Sequence, residues 1–123
     1  ANTQTSPFNP TPVSGCIPCQ VEITSPQNGE EVSGAVTIVG TVRIPNFGFY
    51  FFEIKRPDES IWLTIQAGNE IVTAGQLGVW DTSRLTPGEY QFSLVVQDGT
   101  GQKLMPCIIN LRVASAAEET PGP

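Results

Sequence analysis

The chain has no histidine, and only six lysines and arginines against twelve acidic residues over 123 positions. Without histidine a serine-hydrolase triad has no general base. A structural zinc site takes four Cys or His ligands, and this chain offers three cysteines. So few cations exclude a nucleic-acid interface, which releases counterions with clustered Lys and Arg. No stretch approaches the ~18 consecutive apolar residues of a membrane helix, so no membrane span is expected. Strong apolar periodicity at helical spacing is also missing. Twelve glycines and eleven prolines point instead to many short strands joined by turns. No metal or other cofactor is implied.

At this length a single domain buries a sizeable core. Residues 1–15 are rich in Thr, Ser, Asn and Pro, too polar to offset their own ordering entropy. They are either a linker or an arm that orders along a neighbour, with Phe8 and Val13 as its apolar anchors. Residues 16–113 carry the strand patterns, and the tail 114–123, ASAAEETPGP, is again linker-like. The chain opens at Ala1 rather than Met, as a processed export substrate does; a truncated fragment opens the same way. Val13-Ser14-Gly15-Cys16 has the outline of a lipobox, but no charged start or apolar core precedes it.

Strand patterns recur at 21–25, 35–43, 47–56, 61–66, 77–82, 89–97 and 103–113, about seven in all. Pro26 and Asn28-Gly29 end the first with a tight turn. Val36, Ile38 and Val42 share one face of the second. Ile61, Leu63 and Ile65 are expected inside, Trp62 outside, and 67–76 as a looser segment. Trp80 is expected to fill the middle of the core. Tyr90, Phe92, Leu94 and Val96 alternate cleanly inward, and Asp98-Gly99-Thr100-Gly101 turns the chain into the last strand. Leu85, Gly88 and Tyr90 are spaced as in a tyrosine corner, where a Tyr hydroxyl returns to backbone a few residues upstream.

Cys16-Ile17-Pro18-Cys19 lacks the βαβ context of a redox motif, so a disulfide is the expected use. Cys19 shares parity with Val21 and Ile23, and Cys107 with Met105, Ile109, Leu111 and Val113. If the first strand lies beside the last, Cys19 bonds Cys107 in the interior and Cys16 is left for an intermolecular bridge. Pairing Cys16 with Cys107 is the alternative, with Pro106 supplying a bulge that changes the parity.

Glu53 and Lys55 mark the solvent face of 47–56, which places Tyr50, Phe52 and Ile54 inside and Phe47, Phe49 and Phe51 outside. Together with Trp62 on a neighbouring strand they form an outward aromatic platform that the domain's own core does not explain. It suits a protein interface or stacking on sugar rings, unless a bulge or a folded-over loop covers the rings. The carboxylate pairs Glu30-Glu31 and Asp58-Glu59 fall at turns, where solvation explains them. Asp98 alone falls short of the six to eight oxygens of a calcium loop.

With Ile23 to Val42 (ITSPQNGEEVSGAVTIVGTV), the aromatic strand ending in Glu53, Trp62, LGVWDT, LTPGEY and VVQDGTG in place, the chain resembles a bacterial immunoglobulin-like (Ig-like/fibronectin-like) module of secreted and cell-envelope proteins. The resemblance spans Val21 to Val113. It implies an all-β, immunoglobulin-like Greek-key sandwich with antiparallel strands, used as a spacer, adhesion or assembly unit, and carries no catalytic residue. The cysteines and tails depart from the plain repeat. The expected role is therefore a non-catalytic, exported structural module at the cell surface or outside it, acting through a protein partner or self-association. A carbohydrate-binding accessory module that recognises polysaccharide is the alternative.

Overall fold

The computed structural model describes residues 15–114. Phe8 and Val13, and the tail beyond Ala114, lie outside the described residues. Among the described residues eight strands form two sheets: β1 (Val21–Ser25), β2 (Glu31–Val32), β3 (Ala35–Val42), β4 (Phe47–Lys55), β5 (Leu63–Gly68), β6 (Val72–Asp81), β7 (Gly88–Asp98) and β8 (Cys107–Val113). One sheet runs β1-β3-β6, the other β2-β8-β7-β4-β5. Neighbours pair antiparallel except for the two-residue β2, which lies parallel to β8. The fold is an all-β sandwich.

The core forms where the alternation of β4 and β7 meets that of β3 and β6. Phe52 lies 5.1 Å from Phe92, and Trp80 lies 5.1 Å from Phe92 and edge-on to Tyr90 at 6.5 Å. Ile38, Phe92, Leu94 and Val96 are wholly buried. Each such side chain contributes ~1.5–3 kcal/mol by leaving water, so this cluster is the main source of stability. Trp80 is 4% exposed and packs in this cluster.

Several expectations do not hold. β1 pairs with β3 rather than with β8, because the chain turns after Pro26 and crosses to the other sheet, where β2 takes the place beside β8. Residues 67–76 are mostly strand: β5 runs to Gly68 and β6 starts at Val72. Irregular pairing between β3 and β6 at Ile38/Val39 and Gly40/Val42 breaks the alternation that would have revealed it. Met105 precedes β8 and is 68% exposed.

The disulfide joins Cys16 to Cys107, with Cα atoms 4.4 Å apart, which corrects the Cys19–Cys107 pairing. Gly15, at φ +76°, packs against the Pro106 backbone and brings Cys16 beside the buried Cys107. Ile17 O then accepts from Gln20 N and Val21 N at 2.9 and 2.8 Å. This turn carries Cys19, at φ +68°, out to solvent, where it is a free thiol. Cys19 lies in the turn before β1, so strand parity does not govern it. Cys16 is consequently not the left-over cysteine.

Candidate functional site

The outward face of the five-stranded sheet is built on β4, whose parity sends Phe49 and Phe51 opposite to Tyr50 and Phe52. Their rings lie 5.9 Å apart at 29°. Phe51 stands between Ala67 on β5 and Val95 on β7. Val95, although outward, is 6% exposed, so the aromatic pair and its neighbours already form a continuous apolar layer. Phe47 leaves this layer. Phe47 pairs with Asp98 and Phe49 with Gln97, so Gly48 is an extra residue, and a Cβ there would lie 2.7 Å from Asp98 O. This bulge turns Phe47 toward the core, 6.4 Å from Tyr50.

Trp62 precedes β5 and is partly buried, with Lys55 Nζ 5.3 Å from its ring centroid. Lys103, bridged to Gln97, places Nζ 5.5 Å from the Phe51 centroid. Two of the chain's six cations thus lie on this face, each held over a ring by the aromatic quadrupole. Among the described residues Ser93 Oγ is the buried side-chain polar atom without a hydrogen-bond partner. It is outward on β7 between Glu53 and Ile108. Phe49 and Phe51 thus stack on the outward side of β4, Phe47 is turned from it at the Gly48 bulge, and Trp62 stands before β5 beside Lys55.

Among the described residues β5 is an edge strand, hydrogen-bonded to β4 alone. Leu63 pairs with Ile54, but an extra residue at Ile65 separates the Thr64–Glu53 and Gln66–Phe52 pairs. The parity of Ile61, Leu63 and Ile65 therefore does not run through, and Ile61 and Leu63 are 78% and 61% exposed. Leu63 shares the side of its partner Ile54 yet stays exposed there. Farther along, the same flank is closed. Tyr50 Oη donates to Leu77 O at 2.8 Å, and the Tyr50 ring lies where a Cβ of Gly68 would stand, 2.5 Å from it. Burial of Tyr50, and secondarily Glu70, raises its phenol pKa above the ordinary value.

The tyrosine corner closes the end of this flank. Tyr90 Oη donates to Thr86 O at 2.8 Å, and Arg56 Nη1 donates to Tyr90 Oη at 3.0 Å while its guanidinium lies 5.2 Å from the ring centroid. That bond to Tyr90 is the largest cause raising the Arg56 pKa. Leu85 packs against the core from the corner, and Gly88, at φ +143°, opens β7. Between the corner and β5 lies a groove of about 280 Å³ lined by Ile61, Leu63, Leu85, Arg56, Arg84 and Glu59, among others. The expectation that Ile61 and Leu63 are core residues concealed this groove; the bulge at Ile65 leaves no signal in the sequence.

Among the described residues no group of three or more Cys, Asp or Glu could hold a metal ion. Asp98 Oδ1 instead accepts from Thr100 N, Thr100 Oγ1 and Gln102 N at 2.9, 2.6 and 3.0 Å, which holds its carboxyl below the ordinary aspartate pKa, with Thr100 as the main cause. No helix among them is long and apolar enough to cross a membrane.

No protein-family model matches the chain, and no curated protein matches it significantly. Solved structures do. A fibronectin(III)-like module of CbhA from Clostridium thermocellum aligns with 76% of this chain and 95% of its own, at TM-score 0.55 and 16% identity. The endo-β-1,4-mannanase from Thermotoga petrophila aligns at TM-score 0.56 and 16% identity, with 76% of this chain covering 19% of the enzyme. The chain spans only that small part of the mannanase, so the likeness carries the fold and nothing of the enzyme's activity. The strand order and these likenesses together show the fold, a β-sandwich like that of a fibronectin(III)-like module.

Proposed function

We propose that this chain is an exported, non-catalytic interaction module that docks a protein partner, in the first instance a second copy of itself, through the outward face of the five-stranded sheet. What supports this reading is the outward Phe49–Phe51 pair with Lys103 over Phe51, and Trp62 with Lys55 over it, on a chain of net charge −6. Aromatic anchors with cations at the rim suit a surface bearing carboxylates, and the rest of the molecule supplies such a surface. Contact between two different patches of one chain is heterologous and propagates into a ring or filament. β5, unpaired along its outer side among the described residues, adds a backbone edge for strand addition. Export is supported by the Cys16–Cys107 bridge, since disulfides persist in oxidising compartments.

Light scattering after size exclusion, over a range of protein and salt concentrations, tests this. A mass above the 13.2 kDa chain that falls with salt and with Phe49→Ala plus Trp62→Ala is expected. A strict monomer at all concentrations would sink self-association. Carbohydrate binding is the second reading, supported by the same rings. Lysine ammonium groups over the faces of Phe51 and Trp62 disfavour it, because sugar stacking uses the free ring face. Retention on insoluble polysaccharide by a monomer, lost in that double variant, would install it instead.

A further inference from the structure

The two ends of the sandwich carry apolar hollows of opposite charge, and neither lies on the Phe49 and Phe51 face. At one end Asp58, Glu59, Ser60, Ile61 and Leu63, between β4 and the start of β5, line a hollow of about 540 Å³. Ile61 and Leu63 are largely exposed there. Glu59 Oε1 accepts from the Arg56 backbone N at 3.0 Å. Asp58 and Glu59 both act on the Arg56 guanidinium, though less than its bond to Tyr90 does, and Arg84 in the adjoining groove acts in turn on Asp81. Two carboxylates around one guanidinium leave this corner acidic. At the other end Cys19, Gln20, Arg43, Ile44, Pro45 and Ile71 line a hollow of about 370 Å³. Ile71 is 54% exposed, and Arg43 and Cys19 are exposed beside it. Among the described residues no carboxylate lines this hollow, and the ion pair present, Glu89–Arg112, leaves Arg43 out. Glu70, next to Ile71 in the chain, acts on the Tyr50 phenol.

We propose that the acidic corner at Asp58, Ile61 and Leu63 docks end to end into the hollow at Arg43 and Ile71 of a second copy of this chain. The occupant follows from charge and from placement. Ile71 stands in the turn that joins β5 to β6, and Leu63 opens β5 at its far end, so both hollows lie on one flank at opposite ends. β6 runs ten residues from Val72 to Asp81 along that flank, which separates the ends by roughly 30 Å at ~3.3 Å per residue. Shifting one copy by its own length along the strands brings the acidic corner of one against the basic hollow of the next. Asp58 then meets Arg43, and this pair of opposite sign sets the register. Ile61 and Leu63 cover Ile71 and Pro45, which removes exposed aliphatic area from water on both sides. The two patches differ, so the contact is heterologous, and each added copy presents a fresh hollow at one end and a fresh corner at the other. It uses none of Phe49, Phe51 and Lys103, so it stands whether or not the outward face has a partner. Cys19 leaves a free thiol at the seam, which serves as a reporter of the contact.

The test mixes two versions of the full chain in glutathione disulfide. One carries Ile61→Cys with Cys19→Ser, so that its thiol sits at the acidic corner; the other keeps Cys19. Non-reducing electrophoresis follows the disulfide-linked pair of the two versions. It is expected to form roughly ten-fold faster than with Thr37→Cys plus Cys19→Ser, whose thiol lies exposed on the three-stranded sheet, because docking raises the local thiol concentration. Arg43→Glu in the Cys19 version slows the link roughly two- to five-fold, the range of an exposed ion pair. Asp58→Arg in the other version then restores it. Phe49→Ala with Phe51→Ala in both versions leaves the rate unchanged, which separates this contact from docking of the outward face. A rate no faster than that of the Thr37→Cys control would overturn the contact. A fast link indifferent to both charge changes would overturn the pairing of Asp58 with Arg43, and one slowed by the two Phe changes would overturn its independence of the outward face.

Discussion

On one flank of the sandwich β1 and β8 come together across the gap between the sheets, and the described residues ahead of β1 are tied to them. Cys16 is bonded to Cys107, β2 pairs with the end of β8, and Asn28 Oδ1 accepts from Asn110 N at 2.7 Å. On the other flank β5 ends the five-stranded sheet, with Ile61 and Leu63 exposed and, among the described residues, one side of its backbone unpaired. Tyr50 and Tyr90 reach across to backbone carbonyls there, where the first flank uses a covalent bond and an added strand. The difference teaches where stability and recognition separate. The flank that carries Cys16 and β8 is closed by a covalent bond and an added strand, and the opposite flank keeps an exposed apolar edge.

Breaking the closed flank has the largest expected effect. Cys16→Ser with Cys107→Ser removes a cross-link over 91 residues, which in the chain-entropy model destabilises the fold by about 4–5 kcal/mol. Urea unfolding monitored by Trp fluorescence measures it. Cys19→Ser, by contrast, leaves the transition where it was, since its thiol is free and exposed; a large loss in that variant would mean that the bridge uses Cys19 after all.

On the open flank Tyr90→Phe comes next. It removes a hydroxyl that donates to Thr86 O and accepts from Arg56, at a cost of about 1–2 kcal/mol. The same unfolding experiment reads it, and an unchanged midpoint would show that the corner is held by packing alone. Smallest is Leu63→Thr, within about 0.5 kcal/mol because the side chain is 61% exposed. A loss above ~2 kcal/mol, the scale of buried leucine truncation, would mean that this flank is closed in solution.

Legibility followed how local the cause was. The alternation of β7 is a property of consecutive residues, so Tyr90, Phe92, Leu94 and Val96 were readable as inward, and the Leu85, Gly88 and Tyr90 spacing was readable as a corner. Phe49 and Phe51 were readable as outward for the same reason. Phe47 was not, because its direction depends on Gly48 fitting against the backbone of Asp98, a contact between residues fifty apart in sequence. The parity of Ile61, Leu63 and Ile65 failed at a bulge whose cause lies in pairing with β4.

The sequence by itself determined the all-β class, the central cluster around Trp80 and the aromatic character of one sheet face, because period-two burial and turn chemistry act over a few residues. Tertiary structure alone decided that Cys16 rather than Cys19 bonds Cys107, that β1 and β2 divide between the two sheets, and that Arg56 and Arg84 meet Ile61 and Leu63 in one groove. Each of these depends on which edges face each other across the sandwich, a relation between distant segments that no local pattern encodes.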